Sequence, residues 1–136
     1  MAFADPGIGR IILDSGRGTN PATVVLAEAC KHGDVLGYST GWKRALAAVG
    51  GVIQARVVAL KDGIIGESIP VSQNPLVSGY TGGTPGNPVY VAEGTDNGKV
   101  TETAPTTTND ATTPIGIVLT ATTVLFNITR ADTLSA

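Results

Sequence analysis

"GDVLGYSTGWKRA", residues 33–45, decides how this chain is read. A short apolar run, a tight turn around Gly41 and a second run from Trp42 make strand, turn, strand. The plan returns at 86–102 as "GNPVYVAEGTDNGKVTE", where Asn97-Gly98 is a favoured turn pair. A β-rich run follows each after a connector, "QARVVAL" in the first half and "PIGIVL" in the second. "ESIPVS" and "TVLFNI" then close the two halves. The offset is 53 residues at the first Gly and about 60 later, which is no solenoid period. Two similar β-meanders packed into one small barrel or sandwich fit the pattern.

Composition agrees. The 136 residues suit one domain, able to bury roughly 65–70% of its unfolded surface. Val, Ile and Thr number 14, 10 and 18, and such Cβ-branched side chains pack well on a pleated sheet. Eighteen Gly and eight Pro punctuate the chain with turns. The fold class is mainly β, with an aliphatic core because aromatics are only 4%.

Outward from the meanders the chain is simpler. Residues 1–22 mix Ile11, Ile12 and Leu13 with Gly-rich punctuation and read as an extended N-terminal arm with little core of its own; an edge strand or a loose tail are the alternatives. Residues 23–129 form the β-domain and 130–136 a polar C-terminal tail. A strand is expected near 23–27 and a turn through 30–33, with one helical turn after Asn20-Pro21 as the alternative. "QNPLVSGYTGGTPGNP", residues 73–88, reads as loop, and "APTTTNDATT", 104–113, as a polar connector.

The net charge of −2 argues against a strongly basic nucleic-acid binder. It is unevenly spread. Residues 1–61 carry seven Lys/Arg and four Asp/Glu, net +3, whereas 62–136 carry two and seven, net −5. That asymmetry suits head-to-tail contacts or docking on an acidic surface, or simply two solvated faces. No run approaches the ~20 apolar residues that span a bilayer, and Asp5-Pro6 stands where an export signal needs an apolar run. A soluble protein without an export signal is the expectation.

The only cysteine, histidine and tryptophan all lie within 27–42, "AEACKHGDVLGYSTGW". Cys30, His32 and Asp34 alternate, the order that a nucleophile, a base and an orienting acid would take on one strand face. Strand neighbours on one face sit roughly 7 Å apart at the backbone, too far for a base to serve a nucleophile beside it. A half-buried Cys and an exposed turn His are the better reading, so no catalytic residue is expected. Metal binding fails by count, since zinc wants four ligands that are mostly Cys and His. "EGTDNG", 93–98, lacks the spacing of a calcium loop, and "SGRGTN" lacks the Gly and Lys-Ser/Thr pattern that cradles phosphate. No cofactor is expected.

The order Gly33-Asp34, Gly66-Glu67, Gly86 through Tyr90, Gly98 to Thr101 and Ile115-Gly116 resembles that of the small capsid decoration proteins (cement, or head-stabilisation proteins) of tailed bacteriophages. The resemblance covers about residues 23–129. It implies a compact β-barrel-like domain without enzymatic activity, assembled as a homo-oligomer, with a trimer favoured over a dimer. It further implies a major capsid protein as partner and the exterior of the virion head as location, after synthesis in the host cytoplasm, without nucleic acid or membrane partners. Phe3, Ile8, Ile11, Ile12, Trp42 and Tyr80 are the candidate residues for capsid or subunit contact. Deleting residues 2–20 is then expected to abolish capsid binding and leave the β-domain folded. A carbohydrate-binding or host-adhesion β-module, such as a head-fibre component, is the rival; it wants several exposed aromatics, and only six exist.

Overall fold

A computed structural model describes residues 3–14, 22–46, 53–92, 97–103 and 114–128. The described residues are all β, in eleven short strands: β1 (Ile11–Asp14), β2 (Ala22–Val25), β3 (Val35–Tyr38), β4 (Trp42–Arg44), β5 (Val57–Ala59), β6 (Ser68–Ser72), β7 (Leu76–Ser78), β8 (Pro88–Val91), β9 (Val100–Thr101), β10 (Gly116–Thr120) and β11 (Thr123–Phe126). They form two antiparallel sheets, six strands in the order β1-β7-β11-β10-β8-β9 and five in the order β2-β6-β5-β3-β4. The architecture is a small sandwich, and no closed barrel is present among the described residues.

The two halves share one topology. If β1 is set aside, β7-β11-β10-β8-β9 repeats β2-β6-β5-β3-β4 strand for strand. The register of the central pairs repeats as well: Val35 faces Val58 where Pro88 faces Ile117, and Leu36 faces Val57 where Val89 faces Gly116. The turns entering β3 and β8 match bond for bond. Gly33 donates to Ala59 O (2.7 Å) and Gly86 to Val118 O (2.8 Å), while Ala59 and Val118 donate back to Asp34 O and Asn87 O, both at 2.8 Å. Gly33 and Gly86 hold φ of +90° and +91°, a conformation glycine adopts without the steric cost of a Cβ. The echo between the two meanders is thus a duplicated fold.

Side-chain alternation sorts the strands into two cores. Val35, Ala45, Ala55 and Val58 from the first half join Val77, Val89, Val118, Val124 and Phe126 from the second in one cluster between the halves. The opposite face of the five-stranded sheet gathers Leu36, Ala59, Ile69 and Val71 with Leu26 and Cys30. A parallel bridge from Leu26 to Trp42 brings the end of β2 back beside β4, so this sheet curls around its own small core. Each buried Val contributes about 2 kcal/mol of transfer free energy, which is how an aromatic-poor chain holds together.

Two expectations change. Residues 3–14 belong to the body rather than to a free arm. β1 pairs with β7, Ala4 bridges Thr81, and Phe3 and Ile12 pack on the central core, so the segment is the edge-strand alternative. The 73–88 stretch contains a strand inside a sheet: β7 lies between β1 and β11, because pairing on both sides overrides the local turn chemistry of its flanks. β2 occupies the first part of the strand expected near 23–27 in place of the helical alternative. The connector 104–113 and the tail 130–136 lie outside the described residues, as do 15–21, the junction of arm and β-domain.

Candidate functional site: a buried ion cluster and an open sheet face

The chemistry-bearing residues converge on Arg10, which is 1% exposed. Its Nη1 donates to Asp5 Oδ2 (3.2 Å) and Gly33 O (3.0 Å); its Nη2 donates to Gly7 O (2.9 Å) and to Asp34 Oδ1. Asp34 Oδ2 accepts from the Lys31 N–H at 2.9 Å. Asp5 also accepts the N–H groups of Gly7 (2.9 Å) and Val100 (3.0 Å), tying the N-terminal segment to β9. Burial alone lowers the Arg10 guanidinium, yet Asp5 and Asp34 outweigh it and hold the pKa above its usual value. Burial raises the Asp34 carboxyl, and its attraction to Arg10 and its bond from the Lys31 N–H offset that only in part.

Arg10 Nε and Tyr80 Oη are buried without a hydrogen-bond partner in this neighbourhood. Phe3 stacks on Tyr80 with ring centroids 5.6 Å apart. Phe3, Asp5, Lys99 and Val100 also line a recess of about 230 Å³. The ion cluster locks the chain's beginning to the turn before β3 through Gly33 O and Asp34.

The Cys30, His32, Asp34 trio does not assemble as a triad. Cys30 is 5% exposed, and its thiol lies 3.9 Å from Lys61 O. Burial pushes that thiol up to about 11, so it stays protonated at neutral pH. His32 is turned elsewhere. Its Nδ1 lies 2.7 Å from Asp62 Oδ1, its Nε2 bonds to Arg10 O, and its backbone N–H donates to Asp62 at 2.8 Å. Those bonds hold the Asp62 carboxyl below its usual range. Among the described residues no three His, Cys, Asp or Glu gather as metal ligands, and no helix is long and apolar enough to cross a membrane.

The candidate contact residues separate by burial. Tyr80 is a core residue at 1% exposure, and Phe3 and Ile12 are half-buried against the same core. Trp42 packs on the second core and meets the exposed Tyr38 edge-on at 5.6 Å. Ile8 and Ile11 are exposed. Sequence reasoning missed the rest of the open apolar surface. Leu76, Leu125, Ile117 and Pro88 are successive cross-strand partners over β7, β11, β10 and β8, with the exposed Leu119 two residues beyond Ile117. Leu13 is exposed on the neighbouring edge strand β1. The "PIGIVL" alternation carried the signal, since Ile117 and Leu119 occupy positions where a sheet with one wet face normally carries polar residues. A second apolar display lies in the turn before β6, where Ile64 and Ile65 are exposed, as is Val25 on β2.

No protein-family model, curated protein or solved structure matches this chain.

Proposed function

We propose that the chain is a structural protein that binds the outer surface of a phage capsid, bridging and stabilising major capsid protein subunits. The observation that carries this reading is the display of large apolar side chains at two places on different sheets. One is the outer face of β7, β11, β10 and β8; the other is the Ile64-Ile65 turn with Val25. A bridging protein needs at least two contact surfaces, and exposed apolar patches are where protein contacts form. Binding the assembled shell in preference to its parts stabilises it by mass action, and many lattice copies need only modest affinity each. No enzymatic step is part of this function, so Cys30→Ala is expected to leave capsid binding unchanged.

The test is co-sedimentation with mature, undecorated capsids of the phage that encodes the chain. Saturable binding at a fixed ratio to the major capsid protein is expected; no binding to such shells overturns the reading. The carbohydrate or host-adhesion alternative draws on one feature, the Tyr38–Trp42 pair, in which Tyr38 is 66% exposed on the β3–β4 hairpin. A sugar ring stacks on such a platform. Glycan-array binding lost in Tyr38→Ala, without capsid binding, is the result that favours it.

A further inference from the structure

His32 lies where the N-terminal segment meets the turn before β3, and both nitrogens of its ring face acceptors. Nδ1 lies 2.7 Å from Asp62 Oδ1, which also accepts the His32 backbone N–H at 2.8 Å. Nε2 faces the backbone carbonyl of Arg10, the residue that leads into β1. A carbonyl has no proton to give. Asp62 has none either, because its carboxyl is held below its usual range and stays ionised at neutral pH. A neutral imidazole donates from one nitrogen and accepts at the other, whereas an imidazolium donates from both. Only the charged ring satisfies these surroundings.

A neutral ring gives up one of the two bonds, and the partners decide which. The carboxylate is the stronger acceptor, so the remaining proton stays on Nδ1. The Nε2 lone pair is then turned on Arg10 O, and repulsion replaces the bond. That bond ties the turn to the N-terminal segment, alongside those from the Arg10 guanidinium to Gly33 O and Asp34. Beyond it, Ala4 and Thr81 exchange backbone bonds of 2.9 and 3.1 Å, β1 lies along β7, and Phe3 and Ile12 pack on the central core.

We propose that His32 is a proton-operated latch on residues 3–14: the segment is held firmly while the ring is charged and loosens when the ring loses its proton. An imidazole ordinarily changes charge near pH ~6.5. The sign follows from linkage. The docked segment needs the ring proton, so docking strengthens as pH falls through the ring's titration and weakens as pH rises through it. The other charges near the ring are already matched: Lys31 Nζ lies 3.9 Å from Asp62 Oδ2, Lys61 pairs with Glu67, and Arg10 with Asp5 and Asp34. The buried Cys30 thiol, pushed up to about 11, stays protonated across this range. Asp34, whose carboxyl burial raises, acts on the same segment with the same sign, so the variant that tests the latch leaves Asp34 in place. The inference stands apart from the capsid reading.

The experiment is amide hydrogen exchange on the full chain and on His32→Gln from about pH 5.5 to about pH 8, each rate divided by that of the free amide. The Ala4 and Thr81 N–H groups report docking, and the Arg56 N–H, bonded to Leu36 O at 2.7 Å within the first half, is the reference. Protection of Ala4 and Thr81 in the wild type is expected to fall about tenfold over that range, the scale of one hydrogen bond to a charged group, with Arg56 unchanged. His32 is the only histidine, so its ring resonances follow the ring charge without ambiguity, and the fall is expected to share their midpoint. His32→Gln, with its folding checked by far-UV circular dichroism, is expected to lose the fall and to show the lower protection at both ends. Constant protection in the wild type, or a fall whose midpoint departs from the ring's, overturns the proposal. A fall that persists in His32→Gln also overturns it and assigns the effect to Asp34. If His32→Gln does not fold, the two wild-type midpoints decide.

Discussion

Arg10 carries a full charge into the core and is tolerated there because four oxygen partners surround its two terminal nitrogens. Removing it strands Asp34 in a dry site. Breaking a buried pair costs about 3–5 kcal/mol, and Arg10→Ala is expected to lose that much in urea unfolding at neutral pH. The deficit has a sign in pH. Burial already raises Asp34 in the folded protein, and loss of Arg10 raises it further. A raised carboxyl favours the folded state at pH below its unfolded value, ~3.9, and loses that contribution as pH rises through the folded value. The Arg10→Ala deficit therefore shrinks on acidification, and a constant deficit between neutral pH and about pH 4–5 contradicts the account. Cys30 obeys the same rule at the other end of the scale. Its contribution is complete below the free-thiol value of ~8.5 and is lost as pH rises through about 11. Alkylation of the native thiol is expected to stay slow across that window and to accelerate only near its upper end.

At the scale of elements, the paired turns before β3 and β8 give an internal control. Gly33 and Gly86 share a positive φ, and an L residue there costs about 1–2 kcal/mol. A Cβ at Gly86 meets nothing within 4 Å, whereas one at Gly33 comes within 3.0 Å of Arg10 Cδ and Nε. Gly86→Ala is expected to cost the backbone strain alone and Gly33→Ala distinctly more, because it also displaces the buried guanidinium. Equal urea midpoints for the two variants rule that out. The strands around these turns were legible because "DVLGYST" and "NPVYVAE" are short apolar runs followed by Gly-containing turns. The repeat was legible because both halves kept the same plan. β7 was not, since three residues between Pro75 and Gly79 carry no period of their own and owe their pairing to β1 and β11. The role of Arg10 was equally hidden. Its partners, Asp5 and Asp34, converge only after β1 has docked, so a Gly-rich start reads as an arm. Deleting residues 2–20 accordingly removes β1 and the guanidinium together. It is expected to destabilise the β-domain, so loss of capsid binding by that variant does not by itself locate a contact.

At the scale of the molecule, the shared core makes the two halves depend on each other. Val35, Ala45, Ala55 and Val58 lie in the same cluster as the interior of the second sheet, so unfolding the second half exposes a face of the first. A duplicated fold could unfold in two steps, one per half, but the burial pattern argues for one. Trp42 reports on the first half because it packs on the second core beside Leu26, whereas Phe126 and the strands around it supply much of the other half's order. Trp42 fluorescence and far-UV circular dichroism are therefore expected to follow a single coincident urea transition. Val58→Ala, at the seam, is expected to cost about 2 kcal/mol and to move both signals together. If the fluorescence transition instead runs ahead of the dichroism, the first half melts alone, and the seam is too weak to couple the repeats.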